Sequence, residues 1–288
     1  VAPFSRIRTP TSRSLQHPSI RPPGPPATRE DIRAAERTAA GHGDVRRAGR
    51  LREMGGPDRS FLSFDGRDGG RTVEVFGDLS RADRIAVLVP GSDTNLDMYD
   101  RLRAGATRLR EALGEGAAVV AWVGYRTPST VSTEVLTTGR AEEAAPALRG
   151  FVRTLRALEL HARISLLCHS YGSVVCGRAA PGLEVAGIVL YASAGVGVDT
   201  VAGLRTRATV WAGRATGDWV AAIPNVRIRL PFATLGLGAD PVGPWFGARV
   251  FAAGDGGHSD YLKAGSLSLA NLAAIASGRP PARTGHDT

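Results

Sequence analysis

Apolar positions change their rhythm along this chain. Residues 61–65 and 71–76 alternate apolar and polar around the turn-forming stretch Gly66-Arg67-Asp68-Gly69-Gly70. That pattern predicts an antiparallel hairpin with one solvated face. From residue 85 the pattern is different: 85–89, 118–123, 164–168 and 185–190 are short, almost unbroken apolar runs, and 208–212 and 248–252 continue the series. Strands buried on both faces read this way, and they belong to parallel sheets covered by helices. Helical periodicity fills the intervals 97–113, 139–158, 172–180 and 263–276. A hairpin followed by strand–helix alternation predicts a mostly parallel, doubly wound sheet in one domain, over about residues 61–278.

Before that domain, residues 1–28 carry seven prolines among Ser, Thr and Arg, and read as a disordered tail. Residues 29–60 read as a lead-in of one or two short helices, interrupted at Gly41 and Gly43, and 279–288 as a flexible end. Only about 15 residues join the fourth buried run to the fifth, enough for one helix and no cap domain. The 30-odd residues after Asp218 could fold over a site, with Trp219, Phe232, Trp245 and Phe246 as its apolar lining or as plain core.

Charge changes this picture little. The net charge is +9, but residues 1–60 hold 12 Arg against 6 acidic residues, leaving the body at only +3. A basic tail on a nearly neutral body gives no reason to expect a nucleic-acid partner. No run of 18 apolar residues exists to span a membrane, and no secretory h-region precedes Pro22. Cys168 and Cys176 lie eight apart across an expected strand–turn–helix. If the helix runs on from the turn their side chains diverge, so the expectation is two free thiols, no structural metal and a cytoplasmic protein.

The candidate chemistry centres on Leu167-Cys168-His169-Ser170-Tyr171-Gly172. In an open parallel sheet, function collects at the carboxyl ends of the strands. Ser170 falls between a buried strand and a helix, where a sharp turn exposes its hydroxyl and the helix start supplies N–H groups for an oxyanion. Gly172 gives the small residue needed two positions on, whereas Cys168 stands where the G-x-S-x-G pattern has its first glycine. An acid and a base are expected later in the chain, each after a further strand. His258 lies in the Gly-rich loop after 248–252; His17, His42 and His286 fall in mobile stretches, His161 at the wrong end of the sheet, and His169 points away if Ser170 points out. For the acid, Asp218 leads, Asp240 is the alternative, and Asp199 is third, with Asp255 and Asp260 shaping the loop. Oxyanion donors are expected at Tyr171 and at Gly91 or Ser92, in the loop after the first buried strand.

Taken together, Val89-Pro90-Gly91, Gly124-Tyr125-Arg126-Thr127-Pro128, His169-Ser170-Tyr171-Gly172-Ser173, Ala239-Asp240-Pro241-Val242 and Gly257-His258-Ser259-Asp260-Tyr261 resemble an actinobacterial α/β-hydrolase family of unknown substrate. The resemblance implies the α/β-hydrolase fold, with Ser170 and His258 as catalytic positions. The expected activity is a cofactor-independent serine esterase acting on a small acyl substrate. Peptidase or thioesterase chemistry on the same fold stays open, as does a noncatalytic binding module.

Overall fold

The computed structural model describes residues 25–130, 132–223, 228–229 and 234–282 of the 288-residue chain. The tail through residue 24, the end beyond 282, Phe232, His17 and His286 therefore lie outside the described residues. Two helices open it, α1 (Pro25–Gly41) and α2 (Val45–Met54), with α1 beginning in the tail expected through residue 28. A proline is tolerated in a first helical turn, whose N–H groups have no intrahelical acceptor. Asp44 caps α2 by accepting from the Arg47 amide.

The hairpin forms as β1 (Ser60–Asp65) and β2 (Arg71–Phe76). Then follow β3 (Arg84–Val89), α3 (Tyr99–Leu113), β4 (Ala117–Val123), α4 (Gly139–Leu158), β5 (Arg163–His169), α5 (Gly172–Ala179), β6 (Gly187–Tyr191) and β7 (Thr209–Gly213). A small ribbon, β8 (Ile228–Arg229) with β9 (Thr234–Leu235), precedes β10 (Arg249–Val250) and α6 (Leu267–Ala276). The main sheet has eight strands in the order β1-β2-β4-β3-β5-β6-β7-β10. β2 meets both neighbours antiparallel and all other pairs are parallel.

Two apolar layers cover this sheet. One packs α4 and α5 through Leu148, Phe151, Leu155 and Val174 against Val87, Val120 and Leu166. The other packs α3 and α6 through Leu109 and Leu272 against Leu88, Val119 and Leu167. Each fully buried Leu or Phe contributes about 1.5–3 kcal/mol, so both faces of the central strands stabilise the fold. The β6–β7 connection, with room for one helix, holds a 3₁₀ turn, Ala202–Leu204. Likewise the last expected strand, 248–252, makes a two-residue ladder, because Ala252 turns its amide to the Ala282 carbonyl.

Cys168 and Cys176 are joined in a disulfide with a Cα–Cα distance of 6.4 Å, which overturns the expectation of free thiols. The helix does run on from the turn, α5 opening at Gly172, yet the side chains do not diverge. The chain reverses at Ser170 (φ 51°), so α5 folds back along β5 and its second turn lies over Cys168. Disulfides persist in oxidising compartments, so the two cysteines give no support to a cytoplasmic location. Among the described residues, no helix is long and apolar enough to cross a membrane.

Candidate active site

β3 lies between β4 and β5, so the chain leaves β3 toward one side of the sheet and β5 toward the other. Loops diverge at such a switch point and open a crevice at the carboxyl ends of the strands. Gly91 and Ser170 face each other across it. A Cβ on Gly91 would stand 2.7 Å from that of Ser170, and one on Gly172 would stand 2.3 Å from the Val89 carbonyl oxygen. Both glycines are therefore required by backbone approach. The tight turn at Ser170 is held by its own amide, which donates to the Tyr191 carbonyl, and by the Ser173 hydroxyl, which donates to the Cys168 carbonyl at 2.9 Å.

The Ser170 Oγ lies 3.0 Å from Nε2 of His258. On the other side of the ring, Nδ1 lies 2.9 Å from Oδ1 of Asp218. A carboxylate only accepts, so Nδ1 donates to Asp218 and the unprotonated Nε2 accepts from the serine hydroxyl. Asp218 is only 2% exposed and also takes bonds from the Val220 amide (3.0 Å) and the Tyr261 hydroxyl (2.7 Å). Burial pushes its carboxyl up, but the bonds from His258, Val220 and Tyr261 outweigh that and hold it below the ordinary carboxylate range. Tyr261 in turn accepts from the Ala215 amide at 2.9 Å.

The other candidate acids are placed elsewhere. Asp240 is bound to Arg214 at 2.8 Å and takes the Val242 amide. Asp260 accepts from the Gly257 amide at 2.9 Å, inside the loop that carries His258, and Asp255 is exposed. Asp199 lies beyond β6, past the Ser193–Gly195 turn.

The Tyr171 amide opens α5, and neither it nor the Ser92 amide donates to another described group. The loop after β3 is anchored by its neighbour after β4. The buried Tyr125 hydroxyl donates to the Pro90 carbonyl at 2.7 Å, Thr127 donates to the Thr94 carbonyl at 3.1 Å, and the Asp93 amide donates to the Pro128 carbonyl at 3.0 Å. Asp93 also accepts from the Thr130 hydroxyl and amide.

Of the residues expected to line a lid, Phe246 is core, 1% exposed, and Trp245 is 89% exposed. Trp219 is half-exposed, its ring 4.7 Å from that of His258. Tyr261, Tyr125 and His169 contact the site without having been legible as parts of it in the sequence. Both tyrosines stand inside short motifs, Tyr125 next to Gly124 and Tyr261 three residues after His258, and that is the local signal of their contacts.

A profile described as alpha/beta hydrolase matches residues 65–228. Two Mycobacterium tuberculosis proteins, uncharacterized protein Rv2079 of strain H37Rv and uncharacterized protein MT2140 of strain CDC 1551, are 28% identical over 251 residues. The match covers 75% of this chain but only 38% of each relative. Among solved structures, esterase PE8 is similar at 15% identity with a TM-score of 0.48, covering 70% of this chain and 95% of that one. XC6422 from Xanthomonas campestris, a serine hydrolase without lid, is 18% identical with a TM-score of 0.46, covering 77% and 94%.

Proposed function

The chain belongs to the alpha/beta-hydrolase family, and from that premise we propose that it is a serine hydrolase cleaving a carboxylic ester through an acyl-enzyme on Ser170. The observation that carries this reading is the relay Asp218–His258–Ser170, with bonds of 2.9 and 3.0 Å. His258 takes the Ser170 proton as Oγ attacks the ester carbonyl. The carbonyl oxygen becomes an oxyanion held by the Tyr171 amide and an amide of the Gly91–Ser92 loop. His258 then gives its proton to the departing alcohol. A water, deprotonated by the same imidazole, attacks the acyl-enzyme and frees the acid. Asp218 keeps the Nδ1–H tautomer and stabilises the imidazolium. Trp219, half-exposed beside His258, offers an apolar wall next to the base.

A fluorophosphonate probe, together with p-nitrophenyl esters of graded acyl length, tests the reading. Wild type is expected to label and to hydrolyse, and Ser170→Ala to do neither. Asp218→Asn should lower kcat by about 10³- to 10⁴-fold, because the wrong imidazole tautomer then faces the serine, while Asp240→Asn stays near wild type. Failure of wild type to label, or equal labelling of Ser170→Ala, would sink the hydrolase reading. Full activity in Asp218→Asn would sink the assignment of the acid.

A further inference from the structure

His169 immediately precedes Ser170, and the mechanism above leaves it without a part. Alternation along β5 sends Cys168 to the α4/α5 face of the sheet and His169 to the α3/α6 face. There its ring lies among Tyr191, Tyr261 and His258, at centroid distances of 5.2, 6.1 and 4.9 Å. Its Nε2 is 2.8 Å from the main-chain carbonyl oxygen of His258. A carbonyl only accepts, so Nε2 carries the proton and donates. Burial drives the His169 pKa down to about 4, reinforced by His258 and Arg101 and only partly offset by this bond and by Asp218. The ring is thus neutral while it donates.

The His258 loop needs such a tether. Gly254, Gly256 and Gly257 precede the histidine, and Gly254 is left-handed at φ 75°. A glycine-rich loop has little rigidity of its own. The loop is bound to its own Asp260 and, through Tyr261, to Asp218 and Ala215. The His169 bond ties its main chain directly to the strand that carries the serine.

We propose that His169 is a positioning residue, whose neutral imidazole fastens the main chain of His258 to β5 and so sets the distance between the His258 ring and Ser170. This rests on the hydrolase reading of Ser170. His169 touches no reacting atom; it acts through the place it gives His258. Neutrality matters because His258 becomes a cation in each turnover, and a second cation in the adjacent ring would oppose that.

Two substitutions separate this from a packing role. His169→Phe keeps a ring of similar size and removes the donor; His169→Gln keeps an amide donor of similar reach. With a p-nitrophenyl ester, His169→Phe is expected to lose ~10- to 100-fold in kcat and in fluorophosphonate labelling rate, as small misplacements of catalytic groups do. KM should stay within about twofold, and His169→Gln should recover most of the lost rate. Melting temperatures measured alongside identify any loss that comes from unfolding. Full activity in His169→Phe, or a folded His169→Gln as slow as His169→Phe, overturns the proposal. Those results, with wild type labelled and Ser170→Ala unlabelled, leave the hydrolase reading standing; an unlabelled wild type removes both.

Discussion

Ser170 holds a left-handed backbone at φ 51°, a conformation that costs a non-glycine residue of order 1–3 kcal/mol. Its surroundings over-determine it: Tyr191 accepts its amide, the Ser173 amide returns to its carbonyl, and Gly91 and Gly172 leave no room for another path. At this scale the acid behaviour follows from protonation. An unfolded histidine titrates near 6.5, whereas folded His169 titrates at about 4. Between those values the unfolded chain binds a proton that the native chain does not, so stability falls as pH drops from 6.5 toward 4, by at most about 1.4 kcal/mol per pH unit. Above 6.5 this contribution is fully present and flat. Asp218, also shifted down, adds a further loss as pH falls from the ordinary carboxylate range through its folded pKa. Urea denaturation at pH 7, 5.5 and 4.5 is expected to show a shallower acid loss in His169→Gln than in wild type; parallel curves would contradict it. Ser170, Asp218 and His258 were legible as candidates because each follows a recognisable apolar run. His169 was not legible in this way, because its contact is with a carbonyl 89 residues away.

Among the elements, β5, the turn and α5 form one unit closed by the Cys168–Cys176 disulfide. Both cysteines are fully buried, so the bond lies inside the α4/α5 layer. Closing so short a loop restricts the unfolded chain by about 2.5 kcal/mol. Cys168→Ala with Cys176→Ala, or reduction under mild denaturant, should lower Tm by roughly 5–10 °C in calorimetry, given about 2–4 °C per kcal/mol for a domain of this size. An unchanged Tm would show that the bond adds nothing to stability. The departure at position 168 thereby acquires a physical account: half-cystine occupies the place of the usual glycine. The sequence revealed the strand and the helix but not the angle between them, and that angle decides whether two thiols meet.

Across the whole molecule, the lead-in is joined to the sheet by a small apolar cluster and one buried ion pair. Ile32, Leu51, Met54, Phe61 and Leu96 pack together. Arg59 grips Glu74 of β2 with two bonds of 2.7 Å, and Tyr99 of α3 donates to the same carboxylate at 2.8 Å. Glu74 is 2% exposed, so removing its main partner leaves a buried charge short of compensation. Arg59→Met should cost about 3–5 kcal/mol by urea denaturation, and Arg59→Met with Glu74→Leu should recover most of it. A small loss in the single variant would mean that Arg103, 3.8 Å from Glu74, takes over.

The pattern of residues along the chain by itself determined the parallel sheet with its antiparallel entry, and offered Ser170 and His258 as candidates with several aspartates between them. Those depend on local alternation, burial and position relative to a strand end, all carried by neighbours in sequence. Only the tertiary structure brought Asp218 rather than Asp240 against His258, closed the disulfide and turned His169 toward the His258 main chain. Each is a meeting of side chains and carbonyls at ångström distances across the fold, and no spacing along the chain encodes it.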